Sequence, residues 1–419
     1  MYSLALVAAA LAAPAFAQGQ WTLTLLDPVA FPKARCLDGT MGGFYFSPGE
    51  GEGKNNFVIH TQGGGWCTSD GDCAGRARSP LGSSSTWANG TVSCPGSVGA
   101  PVCYADGGSS GMISNSSAAN PNLYQWSKVF INVRCWIGPE PCPTPARSPP
   151  TPPPRAQQYC DGGSYAGARE DAIIVGSQTI YYRGAYILEA VYDTLLSQFG
   201  LAAAATVVVS GCSAGGLAAF LHVDHLAQKV RAANPSARVV GAPGAGFFLG
   251  EAAPFSGAGY LAQYKWVFSA HNVSRHINDA CVADKNLEAW RCFIAPEVLP
   301  YIQTPLFVSN SLSDAWQAGA IMGLGCAPTK AGACSAAQVE YLTHFRSEML
   351  AGLAPVLAAG SKHGGFLQGC FVHVVEDVGG WTGVKINGAS QADTFSAWLG
   401  GGAGGLQVGT FPPWSNPTC

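Results

Sequence analysis

An α/β fold, with helices wound on both faces of a mainly parallel sheet, is what this sequence predicts, and three observations predict it. Short, continuous apolar runs recur at Phe57–His60, Val129–Val133, Thr206–Ser210 and Leu306–Ser309, and such runs suit strands buried on both faces. Segments with apolar residues three and four apart, at Tyr182–Phe199, Leu217–Ala232 and Ala336–Leu353, read as helices. The third observation is the junction at 206–216, TVVVSGCSAGG, where a β-branched run passes into a Gly-x-Ser-x-Gly pentapeptide and then into a helical pattern. Strands alternating with helices build a doubly wound sheet, and no internal repeat competes with that reading.

In chain order, residues 1–17, MYSLALVAAALAAPAFA, form an apolar stretch ending in Ala15-Phe16-Ala17. The small-x-small ending predicts a secretory signal peptide cleaved before Gln18, although the positive start of such peptides is missing. Residues 18–419 are expected to form a single domain, secreted and extracellular. Charged residues are 11% of the chain and the net charge is −3, against about 25% charged residues in ordinary soluble proteins. No basic field exists for nucleic acid or for an anionic membrane, so neither is expected as a partner; oligomeric state carries no signal. Pro139–Pro154, rich in proline, can neither pair as a strand nor coil as a helix, and reads as a surface insertion spanning about 136–158.

Fifteen cysteines behind a signal peptide imply a disulfide framework. The close pairs Cys67/Cys73, Cys94/Cys103, Cys135/Cys142, Cys281/Cys292 and Cys326/Cys334 read as loop staples. An odd count leaves one thiol over, and Cys212, inside the pentapeptide, is the expected free one because a cross-link there would distort the turn. Sequons at Asn89, Asn115 and Asn272 are compatible with glycosylation.

Gly211-Cys212-Ser213-Ala214-Gly215 has the pattern of a nucleophile elbow, which makes the expected fold α/β-hydrolase-like. A serine hydroxyl is a poor nucleophile until a histidine takes its proton, and the histidine needs a carboxylate to hold its tautomer. In this fold the order is serine, acid, histidine. Asp314 follows the strand-like run ending at Asn310, where such a fold presents its acid, although it could equally be the N-cap of the next helix. Among later histidines, His363 lies in a flexible, exposed glycine turn, whereas His373 follows Cys370, which could tether its loop; His373 is therefore the expected base. Upstream, the run Phe57–Gln62 enters Gly63-Gly64-Gly65-Trp66-Cys67, a strand-then-glycine arrangement that aims backbone N–H groups at an oxyanion together with the N–H of Ala214. His222, Asp224 and His225 do not have metal-ligand spacing on a helix, and the chemistry requires no metal or cofactor.

Taken in order, these motifs resemble the pectin acetylesterase family, which also includes the animal carboxylesterase Notum. The matching residues run from Cys36-Leu-Asp-Gly39 through the Gly63–Cys67 loop, Leu81-Gly-Ser-Ser84, Tyr159-Cys-Asp-Gly162, the Ser213 elbow, Ala245-Gly-Phe-Phe-Leu249, Asp314 with Trp316, and Cys370 with His373, to Asn416–Cys419. The resemblance implies Ser213 as nucleophile, His373 as general base then acid, Asp314 as its orienting acid, and Gly64, Gly65 and Ala214 as oxyanion donors. It implies a secreted serine esterase acting on acetylated pectin or a related cell-wall polysaccharide. Alternatives are a Notum-like fatty-acyl protein deacylase or a silent binding protein on the same scaffold. The chain departs from the plant pattern at Gly244, where an aspartate is usual, at Val374, where a second cysteine is usual, and in the Pro-rich segment.

Overall fold

The computed structural model describes residues 20–85, 87, 91–93, 111–131, 160–250, 260–376 and 379–419. The expected signal peptide, the Pro-rich insertion, the Cys94/Cys103 and Cys135/Cys142 pairs and the Asn89 sequon lie outside the described residues. A ten-stranded sheet forms the centre. Its strands are β1 (Gln20–Leu25), β2 (Gly43–Ser47), β3 (Asn56–Thr61), β4 (Thr91–Ser93), β5 (Ser127–Ile131), β6 (Thr206–Cys212), β7 (Arg238–Gly244), β8 (Phe307–Ser311), β9 (Gly364–Gln368) and β10 (Leu406–Val408). They lie in the order β10-β9-β8-β7-β6-β3-β5-β2-β1-β4. The seven strands from β10 to β5 run parallel, whereas β2, β1 and β4 add an antiparallel edge.

The four apolar runs become β3, β5, β6 and β8, and both faces of the sheet are covered. Along β6, Val207 and Val209 enter the core beneath the helices α2 (Gly184–Gln198) and α3 (Ala214–Ala233), while Val208 points to the opposite core with Phe366, Trp381 and Phe395. Each valine is fully buried, which stabilises the fold by about 1.5–3 kcal/mol per side chain. Continuous apolar sequence is thus required on both alternate faces.

Strand order reverses between β3 and β6: the chain continues from β6 toward β10 on one side and from β3 toward β4 on the other. Connections therefore leave the carboxyl ends of these two neighbours in opposite directions and open a crevice between them. Thr61 pairs in register with Gly211, so the glycine loop after β3 and the pentapeptide after β6 emerge side by side.

Three of the expected staples, Cys67–Cys73, Cys281–Cys292 and Cys326–Cys334, are disulfides, and Cys212 is buried and forms no disulfide with the described residues. Two further bridges, Cys36–Cys160 and Cys370–Cys419, span 124 and 49 residues. No helix among the described residues is long and apolar enough to cross a membrane.

Candidate active site

Ser213 stands between the end of β6 and the first turn of α3 with φ 55° and ψ −126°, a conformation sparsely populated by residues other than glycine. Its N–H donates to the carbonyl of Gly244 at 2.9 Å, tying the turn to the end of β7. The flanking glycines are a packing requirement: a Cβ on Gly211 would lie 2.2 Å from the Gly215 carbonyl oxygen, and one on Gly215 would lie 2.0 Å from that of Thr61. The Thr61 hydroxyl donates to the carbonyls of Ser210 and Gly215 and so bridges the two sides of the turn.

Asp314 is fully buried and caps the helix α4 (Ala315–Ala320), its Oδ1 accepting the Gln317 N–H at 2.8 Å. The same carboxylate faces His373 Nδ1, at 2.9 Å from Oδ2 and 3.1 Å from Oδ1. One carboxylate thus both caps the helix and faces the histidine. His373 Nε2 lies 2.8 Å from Ser213 Oγ. With the Nδ1–H donated to a carboxylate, Nε2 carries a lone pair directed at the serine hydroxyl. The Cys370–Cys419 bridge holds the start of the histidine loop, and the Ala315 N–H donates to Val372 O from the first turn of α4.

His363 departs from its expected place in a flexible, exposed turn. It is half-buried and its Nδ1 accepts the Leu306 N–H at 3.0 Å, an anchor at the head of β8 on which burial lowers its pKa to about 4.

The glycine loop closes over the elbow. A Cβ on Gly63 would meet the Cys212 carbonyl at 2.4 Å and Ser213 Cβ at 2.5 Å, so the backbone of the loop touches the serine directly. Gly64 and Gly65 follow with φ of 145° and 65°. No described residue accepts a hydrogen bond from the N–H of Gly64, Gly65 or Ala214. Free amides at this place are what a developing oxyanion needs. Arg76, on the helix α1 (Asp70–Ala77), donates to Gly64 O at 3.0 Å, and the Cys67–Cys73 bridge joins the loop to the same helix.

One brace was not legible in the sequence. Ser164 and Tyr165 are consecutive non-glycine residues with φ of 53° and 55°. This kink sends the buried Ser164 hydroxyl between two parts of the site: it accepts from Trp66 Nε1 and donates to Ala214 O, each at 2.7 Å. His222 Nε2 lies 3.1 Å from Ser164 O, so it holds the kink from α3. The paired glycines Gly162 and Gly163, just before Ser164, are the one hint of a sharp turn that the sequence offers. Asp161 fastens that turn by accepting the N–H groups of Gly163 and Tyr165.

Several buried groups near the loop titrate abnormally. Burial raises the Asp161 carboxyl to about 7 even with Arg76 nearby, and burial lowers His60 to about 3 and His222 to about 4. The His271 ring, stacked on Tyr182 at 4.1 Å, is held at about 3 by burial and then by Arg76 and Arg169. A ring nitrogen of His271 lies within 4.8 Å of the Cys67 and Cys73 sulfurs, but those sulfurs are joined to each other and are not thiolate ligands. On α3, His225 pairs with Glu189 and Asp224 accepts the Gln303 and Thr304 N–H groups, so with His222 the three point to separate partners.

A family model described as pectinacetylesterase matches residues 15–135 and 156–419, nearly the whole chain. The chain belongs to the pectinacetylesterase family. It is 29% identical to pectin acetylesterase 7 of Arabidopsis thaliana, over 96% of this chain and 93% of that one. It is 23% identical to the palmitoleoyl-protein carboxylesterase NOTUM of Mus musculus, over 87% of this chain and 62% of that one. Among solved structures, the Wnt deacylase Notum from Drosophila superposes with a TM-score of 0.72 at 21% identity, covering 96% of this chain and 99% of that one. This member of the pectinacetylesterase family thus has an α/β-hydrolase fold and is a carboxylic ester hydrolase.

Proposed function

We propose that the protein is a secreted serine esterase that removes O-acetyl groups from pectin or a related cell-wall polysaccharide. The observation that carries this reading is the continuous path from Ser213 Oγ through His373 to the buried Asp314, 2.8 Å and then 2.9 Å. In the proposed reaction His373 Nε2 takes the Ser213 proton as Oγ attacks the ester carbonyl. The carbonyl oxygen becomes an oxyanion against the amides of Gly64, Gly65 and Ala214, each such donor being worth about 10²–10³ in rate. The imidazolium, stabilised by Asp314, returns its proton to the leaving sugar hydroxyl as the C–O bond breaks. A water then loses its proton to His373, attacks the acetyl-serine and releases acetate, restoring the Ser213 hydroxyl.

A short acyl group is supported by the packing beside the histidine. Phe248 and Trp316 lie 6.0 and 5.8 Å from the His373 ring, and Trp66 packs against both of them at 5.0 and 5.9 Å. Trp66 and Phe248 are buried and pack with Trp316 beside His373, which favours a short acyl group over a long chain. The likeness to Arabidopsis pectin acetylesterases supports the polysaccharide carrier. The test is chain-length preference on p-nitrophenyl esters together with acetate release from acetylated pectin. Fastest turnover of acetate esters is expected; faster turnover of long-chain fatty-acyl esters would replace this reading with fatty-acyl removal.

A further inference from the structure

We propose that Glu376 is a positioning residue for His373, clamping the histidine loop from the side opposite the Cys370–Cys419 bridge. The inference rests on the reading of Ser213 and His373 as nucleophile and base. After His373 the chain turns inward: Val374 and Val375 are buried, and Val374 packs with Cys212 and Ala245 beneath the elbow. Glu376 then extends its carboxylate into a crevice lined also by His60, Ser210, Cys212, Gly244 and Gln391.

Two contacts fix that carboxylate. Its Oε1 accepts from Gln391 Nε2, and Gln391 is a buried residue at the first turn of the helix α5 (Gln391–Leu399), whose start is locked by reciprocal bonds between Ser390 and Asp393. Oε1 also lies against the bare backbone of Gly244, 3.3 Å from where a Cβ would stand. Gly244 is the residue whose carbonyl receives the Ser213 N–H. Glu376 thus links the histidine loop, the end of β7 under the serine, and a capped helix. Among the described residues, the backbone bonds on the segment are Val372 N–H to Cys370 O, Ala315 N–H to Val372 O, Gly379 N–H to Glu376 O and Gly380 N–H to Val375 O, and none is made by the backbone of His373 or Val374. Beyond the Asp314 carboxylate on Nδ1, the seating of Val374 and Glu376 sets where the backbone carries the imidazole.

Because Oε1 acts as an acceptor, glutamine can replace glutamate and alanine cannot. Misplacement of a reacting group by about 1 Å can cost on the order of 10²-fold in rate. Glu376→Ala is expected to lower kcat for p-nitrophenyl acetate by about 10-fold or more with KM changed less than about 2-fold, and Glu376→Gln to recover most of it. Fluorophosphonate labelling of Ser213 should slow in step with kcat, and thermal melting of each variant separates misplacement from unfolding. Unchanged kcat in Glu376→Ala, or a glutamine variant as impaired as the alanine one, overturns the inference. Failure of the wild-type protein to label at Ser213 overturns instead the reading on which it rests.

Discussion

Replacing Ser164 by alanine removes one oxygen that joins both halves of the site. Trp66 Nε1 loses its 2.7 Å acceptor in a buried setting, which costs about 1–3 kcal/mol for an unsatisfied donor. The Ala214 carbonyl loses its 2.7 Å donor but keeps its place in α3, so that loss adds about 0.5–1.5 kcal/mol. The sum is about 1.5–4.5 kcal/mol of stability. Because Trp66 ends the glycine loop and Ala214 carries one of the proposed oxyanion amides, kcat for p-nitrophenyl acetate should fall about 10- to 100-fold as the amides lose register. Ser164→Gly loses the same bonds but relieves the φ of 53°, recovering roughly 1 kcal/mol, so the difference between the variants isolates the backbone term. Urea unfolding and steady-state kinetics read both quantities. Loss of the full stability with kcat within about twofold of wild type would refute the brace as part of the catalytic geometry.

Three further outcomes are expected. Asp314→Asn keeps an oxygen for the Gln317 N–H and so keeps the cap, but turns a donor toward His373, and kcat should fall by about 10³–10⁴ with little change in melting; a loss under tenfold would contradict the assignment. Gly63→Ala drives a Cβ into the Cys212 carbonyl and Ser213 and should abolish activity, whereas Gly65→Ala meets no atom of the described residues within 4 Å and costs about 1–2 kcal/mol for its positive φ; melting and kcat measured on both variants should diverge in that sense. His271 is neutral in the folded protein down to about pH 3 but titrates near 6.5 when unfolded. Its contribution is present above pH 6.5 and lost as pH falls toward 3, at about 1.4 kcal/mol per unit. His271→Phe should flatten the fall of stability between about pH 6.5 and 4 by that amount, and an unchanged slope would show that the ring is not held neutral.

The elbow and its partners were legible because each carries a local signature. Thr206–Gly216 joins a strand, a serine between glycines and a helix in eleven consecutive letters, and Asp314 and His373 each follow a strand end. Where structure depends on distant parts of the chain, the sequence was silent. Gly364–Gln368 begins in what reads as a glycine turn, yet it is a parallel strand because β8 and β10 flank it, and their pairing rather than its own propensity makes it one. Cys36 and Cys160 meet across 124 residues, a separation for which spacing holds no information. Ser164 acts through a backbone kink that its identity does not announce, and His363 is anchored by a backbone N–H 57 residues away.

That Ser213, activated by His373, is the nucleophile of an esterase is tested most directly by covalent labelling with a fluorophosphonate followed by peptide mass spectrometry. One phosphonyl group on the peptide containing Ser213, with labelling and esterase activity both lost in Ser213→Ala, is the predicted result. Activity that survives Ser213→Ala, or a label carried by another residue, would contradict it.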